Sequence, residues 1–262
     1  MRVVSLHPDV LLITSGIWQT NCTVVRAGSG AGGGEGGADG AGEAFAIDSP
    51  ILPDELEALP AVLEQAGFSL SGLLATHGDW DHLLGRLAFP GASLGCAEST
   101  AGRLRAAPGE AQRELRAFDE SHYLQRERPL GLGTLQALPV PGHCGIGGRE
   151  LELHPAGGHT VDGMAILTPW AGVLVAGDYL STIEIPFFGE GAGTLDGYVA
   201  TLERLREPLG RAELVVPGHG PAIDAARARG VLEEDLAYLH DLRARGAEAE
   251  LPPSRRTPFQ RV

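Results

Sequence analysis

The chain has 262 residues, 43% hydrophobic and 21% charged, a balance that excludes a wholly disordered protein. Its formal charge of −14 sets 34 acidic side chains against 20 basic ones, all arginine because the sequence has no lysine. So acidic a chain lacks the footprint of a nucleic-acid binder, and three cysteines (Cys22, Cys96 and Cys144) are too few for a disulfide framework.

In chain order, Val10–Thr14, Cys22–Arg26 and Ala44–Asp48 are short β-rich runs. Between the last two, Gly28–Gly42 is nearly all glycine and alanine, with a few acids. It reads as a flexible loop, and it lacks the Gly-Lys-Ser/Thr ending of a phosphate cradle. From Pro53 onwards, Leu56, Leu59, Val62, Leu63 and Ala66 recur at helical spacing and stop at Gly67. Leu73–Thr76 reads as a buried strand, Leu83, Leu84 and Leu87 as a short helix, and Ala92–Cys96 as another strand. Ser99 to Arg128 carries Arg and Glu at helical spacing with a break at Pro108-Gly109. Those arginines are expected on a solvated face paired with glutamates, one or two of them available to an anionic substrate.

Leu135–Val140 and Glu150–His154 are strand-like runs around a glycine-rich turn, and Gly163–Thr168 with Gly172–Ala176 predicts a hairpin. A helix is predicted over Leu195–Arg206, a strand over Glu213–Val216 and a last helix over Ala222–Arg245. Residues 1–250 read as one α/β domain and 251–262 as a loose tail. The uncharged stretch Gly163–Gly177 is too short to cross a bilayer, and the first residues lack the apolar run of an export signal. A cytoplasmic protein without membrane contact is expected.

Most of the chemical information sits in His77-Gly78-Asp79-Trp80-Asp81-His82. Four potential metal ligands lie in six residues, where a buried strand breaks into a turn. Burying that many polar groups is costly unless something pairs with them, and a cation does so directly. On an extended segment His77, Asp79 and Asp81 project to one side, and His82 can come round to join them. Three more ligand-type residues stand just beyond strands and beside glycine: His159 in Gly158-His159-Thr160, Asp178 after Gly177, and His219 in Gly218-His219-Gly220.

This series, in this order, resembles the metallo-β-lactamase superfamily over about Val10 to Ala222. The resemblance implies a four-layer αββα sandwich with a dinuclear metal site at one edge of its two sheets. It implies that His77, Asp79 and His159 hold one metal and that Asp81, His82 and His219 hold the other, with Asp178 bridging. Asp79 stands where most members carry histidine. Flavodiiron reductases have glutamate there, and the hydrolase domain of some DNA-uptake channel proteins has aspartate. A carboxylate hardens the first site and favours manganese or iron relative to three histidines. Two divalent ions are therefore expected, zinc first, with manganese or iron as the alternatives.

The implied activity is hydrolysis of a small ester, thioester or lactone by a metal-bridging hydroxide. Asp81 is the implied catalytic residue, orienting that hydroxide or moving its proton. The partner is a small-molecule substrate, with neither nucleic acid nor membrane involved. The alternatives are a non-haem diiron redox protein with a separate electron donor, and a metal-binding protein without turnover. Trp18 is either a lid or packing beneath a turn, and Ile185, Phe187 and Phe188 either wall the pocket or fill the core. Ser181 is expected to hydrogen-bond around the site, and His143 and Cys144 are expected to stay outside it.

Overall fold

The computed structural model describes residues 1–28, 43–188 and 193–255, so all of the glycine-rich stretch but Gly28 lies outside the described residues. The first sheet keeps its strands in chain order: β1 (Arg2–His7), β2 (Val10–Thr14), β3 (Asn21–Arg26), β4 (Glu43–Ile47), β5 (Ser69–Leu74), β6 (Leu94–Ala97) and β7 (Leu135–Leu138). Neighbours are antiparallel up to β4 and parallel from β4 to β7. The second sheet runs β8 (Gly142–Ile146), β9 (Arg149–Pro155), β10 (Met164–Thr168), β11 (Val173–Gly177), β12 (Leu214–Pro217) and β13 (Ile223–Asp224). In it only β11 and β12 are parallel neighbours.

Alternate side chains of a strand point to opposite faces, and in the central strands both sets are apolar. Val10 and Leu12 of β2 enter the core between the sheets, where they meet Val173 and Val175 of β11. Leu11 and Ile13 face the other way, onto α1 (Pro53–Gln65), α2 (Gly85–Ala88), α3 (Glu98–Ala106) and α4 (Glu110–Ser121). On the far side, Leu174 and Ala176 of β11 pack against α5 (Leu195–Arg211) and α6 (Ala225–Arg245). Three apolar cores thus separate four layers, helices outside and two sheets within.

Most of these elements follow from the sequence pattern, and three strands do not. β1 is a largely exposed edge strand, and β8 reads Gly-His-Cys-Gly-Ile, too glycine-rich to announce itself. The two-residue β13 is shorter than any periodicity can reveal. The strand-like runs Leu135–Val140 and Glu150–His154 belong to different sheets, β7 closing the first and β9 pairing with β8 in the second. The start of the tail is not loose. Arg255 is buried, its guanidinium 2.6 Å from the Asp235 carboxylate and donating to the carbonyls of Ser181 and Glu184.

Candidate metal centre

Topology gathers the ligand-type residues. β2, β4 and β5 point the same way in the first sheet, and β9, β11 and β12 do so in the second. The segments that leave their C-terminal ends share one edge of the sandwich, where open α/β sheets place their ligands. They carry Trp18 and Thr20 after β2, Asp48 after β4, His77 to His82 after β5, His159 after β9, Asp178 after β11 and His219 after β12. Asn21 staples the sheets together beneath the site: its side chain donates to the carbonyls of Pro217 and Gly220, and its backbone N–H to Gly218.

Two triads result. The Asp79 Oδ2 atom lies 3.6 Å from His77 Nε2 and 3.5 Å from His159 Nε2. Asp81 Oδ2 lies 3.5 Å from His82 Nε2 and 3.3 Å from His219 Nε2. Asp178 stands between them, with Oδ2 at 3.8, 3.3 and 3.5 Å from the Nε2 atoms of His77, His159 and His219, and Oδ1 3.3 Å from His82 Nε2. All seven residues singled out in the sequence therefore converge. Two donors about 2.0–2.1 Å from one tetrahedral cation stand about 3.4 Å apart, so these spacings are of the right size for shared ions.

Each imidazole turns Nε2 inward while its Nδ1 faces a neighbouring oxygen. His82 Nδ1 lies 3.0 Å from Asp48 Oδ2, and His77 Nδ1 is 3.0 Å from Thr76 Oγ1. Asp48 also accepts from the backbone N–H and hydroxyl of Thr76, so one carboxylate sets the orientation of both rings. His159 Nδ1 bonds the carbonyl of Phe187 at 2.8 Å. His219 Nδ1 is 3.2 Å from both the Trp18 carbonyl and Thr20 Oγ1. Ser181, as expected, hydrogen-bonds around the site by donating to the His219 carbonyl.

The inward atoms are left over. Among the described residues, Nε2 of His77, His82 and His159 and Oδ1 of Asp178 are buried without a hydrogen-bond partner. Such orphans are expensive unless a cation takes them up. Burial alone would raise the Asp79 carboxyl, but the His159 and His77 rings beside it hold it far below the usual range. Burial likewise opposes charge on His159, His82 and His219, and the surrounding carboxylates overcome it, raising His159 to about 9 and the other two well above their ordinary value. The donor set of imidazoles and carboxylates suits zinc, manganese or iron. Crowding is relieved by Gly218: a Cβ there would lie 2.0 Å from Asp178 Oδ1 and 3.0 Å from His82 Cε1.

The sequence model of the metallo-beta-lactamase superfamily matches residues 16–219. The chain belongs to that superfamily. Among solved structures it is similar to the metallo-beta-lactamase family protein TTHA1429 of Thermus thermophilus, at 22% identity over 92% of this chain and 82% of that one, with a TM-score of 0.68. The DIM-1 metallo-beta-lactamase matches at 20% identity over 88% and 94%, TM-score 0.59, and TTHA1623, solved in a di-iron-bound form, at 21% over 83% and 96%, TM-score 0.59. At these identities the likeness extends to the fold. No curated protein matches the chain.

Residues around this superfamily edge were only partly legible in the sequence. Trp18 fits the packing role: its half-exposed ring packs edge-on against Trp80 and Phe118, and its backbone carbonyl lies 3.2 Å from His219 Nδ1. Phe187 stands exposed beside the His159 ring, whereas Phe188 joins the outer core. Arg103 and Glu184 carried no signal of their own, one hidden among many helical arginines and the other in a turn. Arg103 is 2.8 Å from Asp79. Burial raises the Glu184 carboxyl, with His219 opposing and Asp178 and Asp81 reinforcing the rise. His143 lies exposed on the edge strand β8 and Cys144 half-buried beside it, both outside the cluster. No helix among the described residues is long and apolar enough to cross a membrane.

Proposed function

We propose that the chain is a metal-dependent hydrolase of a small ester, thioester or lactone. One observation carries this reading: two His/Asp triads share the Asp178 carboxylate and turn buried, unpartnered atoms inward. In it His77, Asp79 and His159 would hold one divalent ion, Asp81, His82 and His219 would hold a second, and Asp178 would serve both. When bound, such ions polarise a carbonyl oxygen and lower the pKa of a water molecule. Asp81 accepts the proton that the attacking water gives up and returns it to the leaving group. Asp48, Thr76, Thr20 and the carbonyls of Trp18 and Phe187 keep the four imidazoles fixed, so no reorganisation is needed during reaction. Trp18, Val161 and Phe187 give the site's rim exposed apolar surface, suited to the carbon skeleton of an uncharged substrate.

A diiron redox protein is the second reading, favoured by the carboxylate at position 79 and by the di-iron form of TTHA1623. Metal analysis of protein purified without added metal, joined to turnover of a 4-nitrophenyl ester, a thioester and a γ-lactone, decides between them. Turnover abolished by His82→Ala and His219→Ala, with the fold retained, is the expected result. A protein with two irons that consumes a reductant and cleaves none of the three would overturn the hydrolase reading.

A further inference from the structure

Asp79 uses only one of its oxygens toward the histidines. Its Oδ2 faces His77 and His159, while Oδ1 lies 2.8 Å from Nη1 of Arg103, which projects from α3. The same nitrogen donates to Asp162 Oδ1 at 2.9 Å, and Asp162 Oδ2 accepts from the backbone N–H of Gly78 at 2.9 Å. Asp162 is almost fully buried and sits three residues beyond His159, so this one guanidinium ties together the two loops that carry the first triad. Gly78 makes the approach possible. A Cβ there would lie 3.2 Å from Asp162 Oδ2 and 3.4 Å from Arg103 Nη1, tighter than or at the limit of ordinary contact.

The charges match the geometry. Asp79, Asp81 and Asp178 bring three negative charges to the cluster, one more than a histidine at position 79 would leave. Arg103 returns the missing positive charge at hydrogen-bond distance, partly shielded from solvent, where it counts for more than on an open surface.

We propose that Arg103 is a positioning residue matched to Asp79: it fixes Oδ1 so that Oδ2 faces the first metal position, and it offsets the charge that aspartate introduces there. The proposal rests on the reading that His77, Asp79 and His159 hold an ion. It makes the effect of Arg103 depend on what occupies position 79. With aspartate in place the arginine strengthens the site, and with histidine in place it becomes an unpaired cation that repels the metal.

The test is calorimetric titration of metal-free protein with zinc, resolving two sites. Arg103→Met should weaken one site by about tenfold or more, the usual effect of losing a partner that orients a ligand, and leave the other unchanged. Arg103→Lys should recover most of that loss, because a single nitrogen makes both contacts and an ammonium can replace it. In the Asp79→His background the sign should reverse, with Arg103→Met strengthening the site. Where Arg103→Met does not fold, combining it with Asp162→Asn removes the carboxylate left buried and is read in the same way. Equal weakening of both sites, or the same effect in both backgrounds, overturns the proposal and leaves Arg103 a structural residue. Loss of the underlying reading is recognised separately: wild type binding fewer than two zinc ions, or Asp79→His leaving both affinities untouched.

Discussion

Replacing Gly218 by alanine puts a methyl group into the tightest point of the site. Its Cβ would lie 2.0 Å from Asp178 Oδ1, and since Cβ atoms essentially never approach a heavy atom within 3.0 Å, something must move by at least 1 Å. The backbone cannot yield easily, because Gly218 N donates to the Gly177 carbonyl at 2.7 Å and its own carbonyl accepts from Asn21 N at 2.8 Å. His82, 3.0 Å from the same Cβ, is wholly buried. The displacement therefore falls on the Asp178 carboxylate, the group placed between the two triads. A misplacement of about 1 Å typically costs about 10²-fold in rate, and metal affinity should fall at both positions together. Because Gly218 lies outside the left-handed backbone region, the alanine adds no backbone-conformation penalty, and the metal-free protein should lose about 1–3 kcal/mol, the usual cost of overpacking a buried site. Gly102→Ala on α3, where a Cβ meets nothing within 4 Å, is the control and should stabilise by about 0.5–1 kcal/mol. Zinc titration, ester turnover at saturating metal and a thermal melt read all three quantities. A Gly218→Ala protein that binds two ions with wild-type affinity and turns over at the wild-type rate would refute the reasoning.

Asp178→Ala should weaken both metal positions, since this carboxylate lies within 3.8 Å of histidines from each triad; titration in which one site stays normal would remove it from the bridge. Burial raises the Asp235 carboxyl to about 7, with Arg255 pulling it back. A carboxyl raised above its unfolded value contributes stability that is fully present below about pH 4 and lost as pH rises through 7. Arg255→Met takes away the counter-charge, so its loss of melting temperature should grow from pH 5 to pH 8, approaching the roughly 3 kcal/mol typical of a broken buried pair; a pH-independent loss would contradict this. β3 ends at Arg26 and β4 begins at Glu43, both at the end of the first sheet opposite Asp48. Replacing Gly28–Gly42 with a short Asn-Gly turn should leave ester turnover within about twofold of the intact chain, because both anchoring strand ends lie away from the ligand-type residues and connection length costs little; a large loss would show that the segment reaches the metal edge.

The seven ligand-type residues that cluster in the structure stood out in the sequence because their placement is local: four crowd into His77–His82 just after a buried strand, and His159, Asp178 and His219 each follow a strand beside glycine. The apolar cores were readable for a similar reason, since β2 and β11 carry apolar residues at nearly every position and so announce a sheet covered on both faces. What the sequence could not supply is anything that depends on two distant segments meeting at ångström precision. Arg103 looks like any helical arginine until α3 brings it to Asp79, and Arg255 looks like part of a loose tail until α6 offers it Asp235. β8 is a strand only because β9 lends it hydrogen-bond partners, its own residues having little strand preference. The sequence by itself therefore determined which residues are candidate metal ligands and which segments are apolar on both faces, because ligand type and hydrophobic period are properties of single segments. Only the tertiary structure decided which charge balances which, because an electrostatic partner is chosen by distance in space and leaves no spacing in the chain.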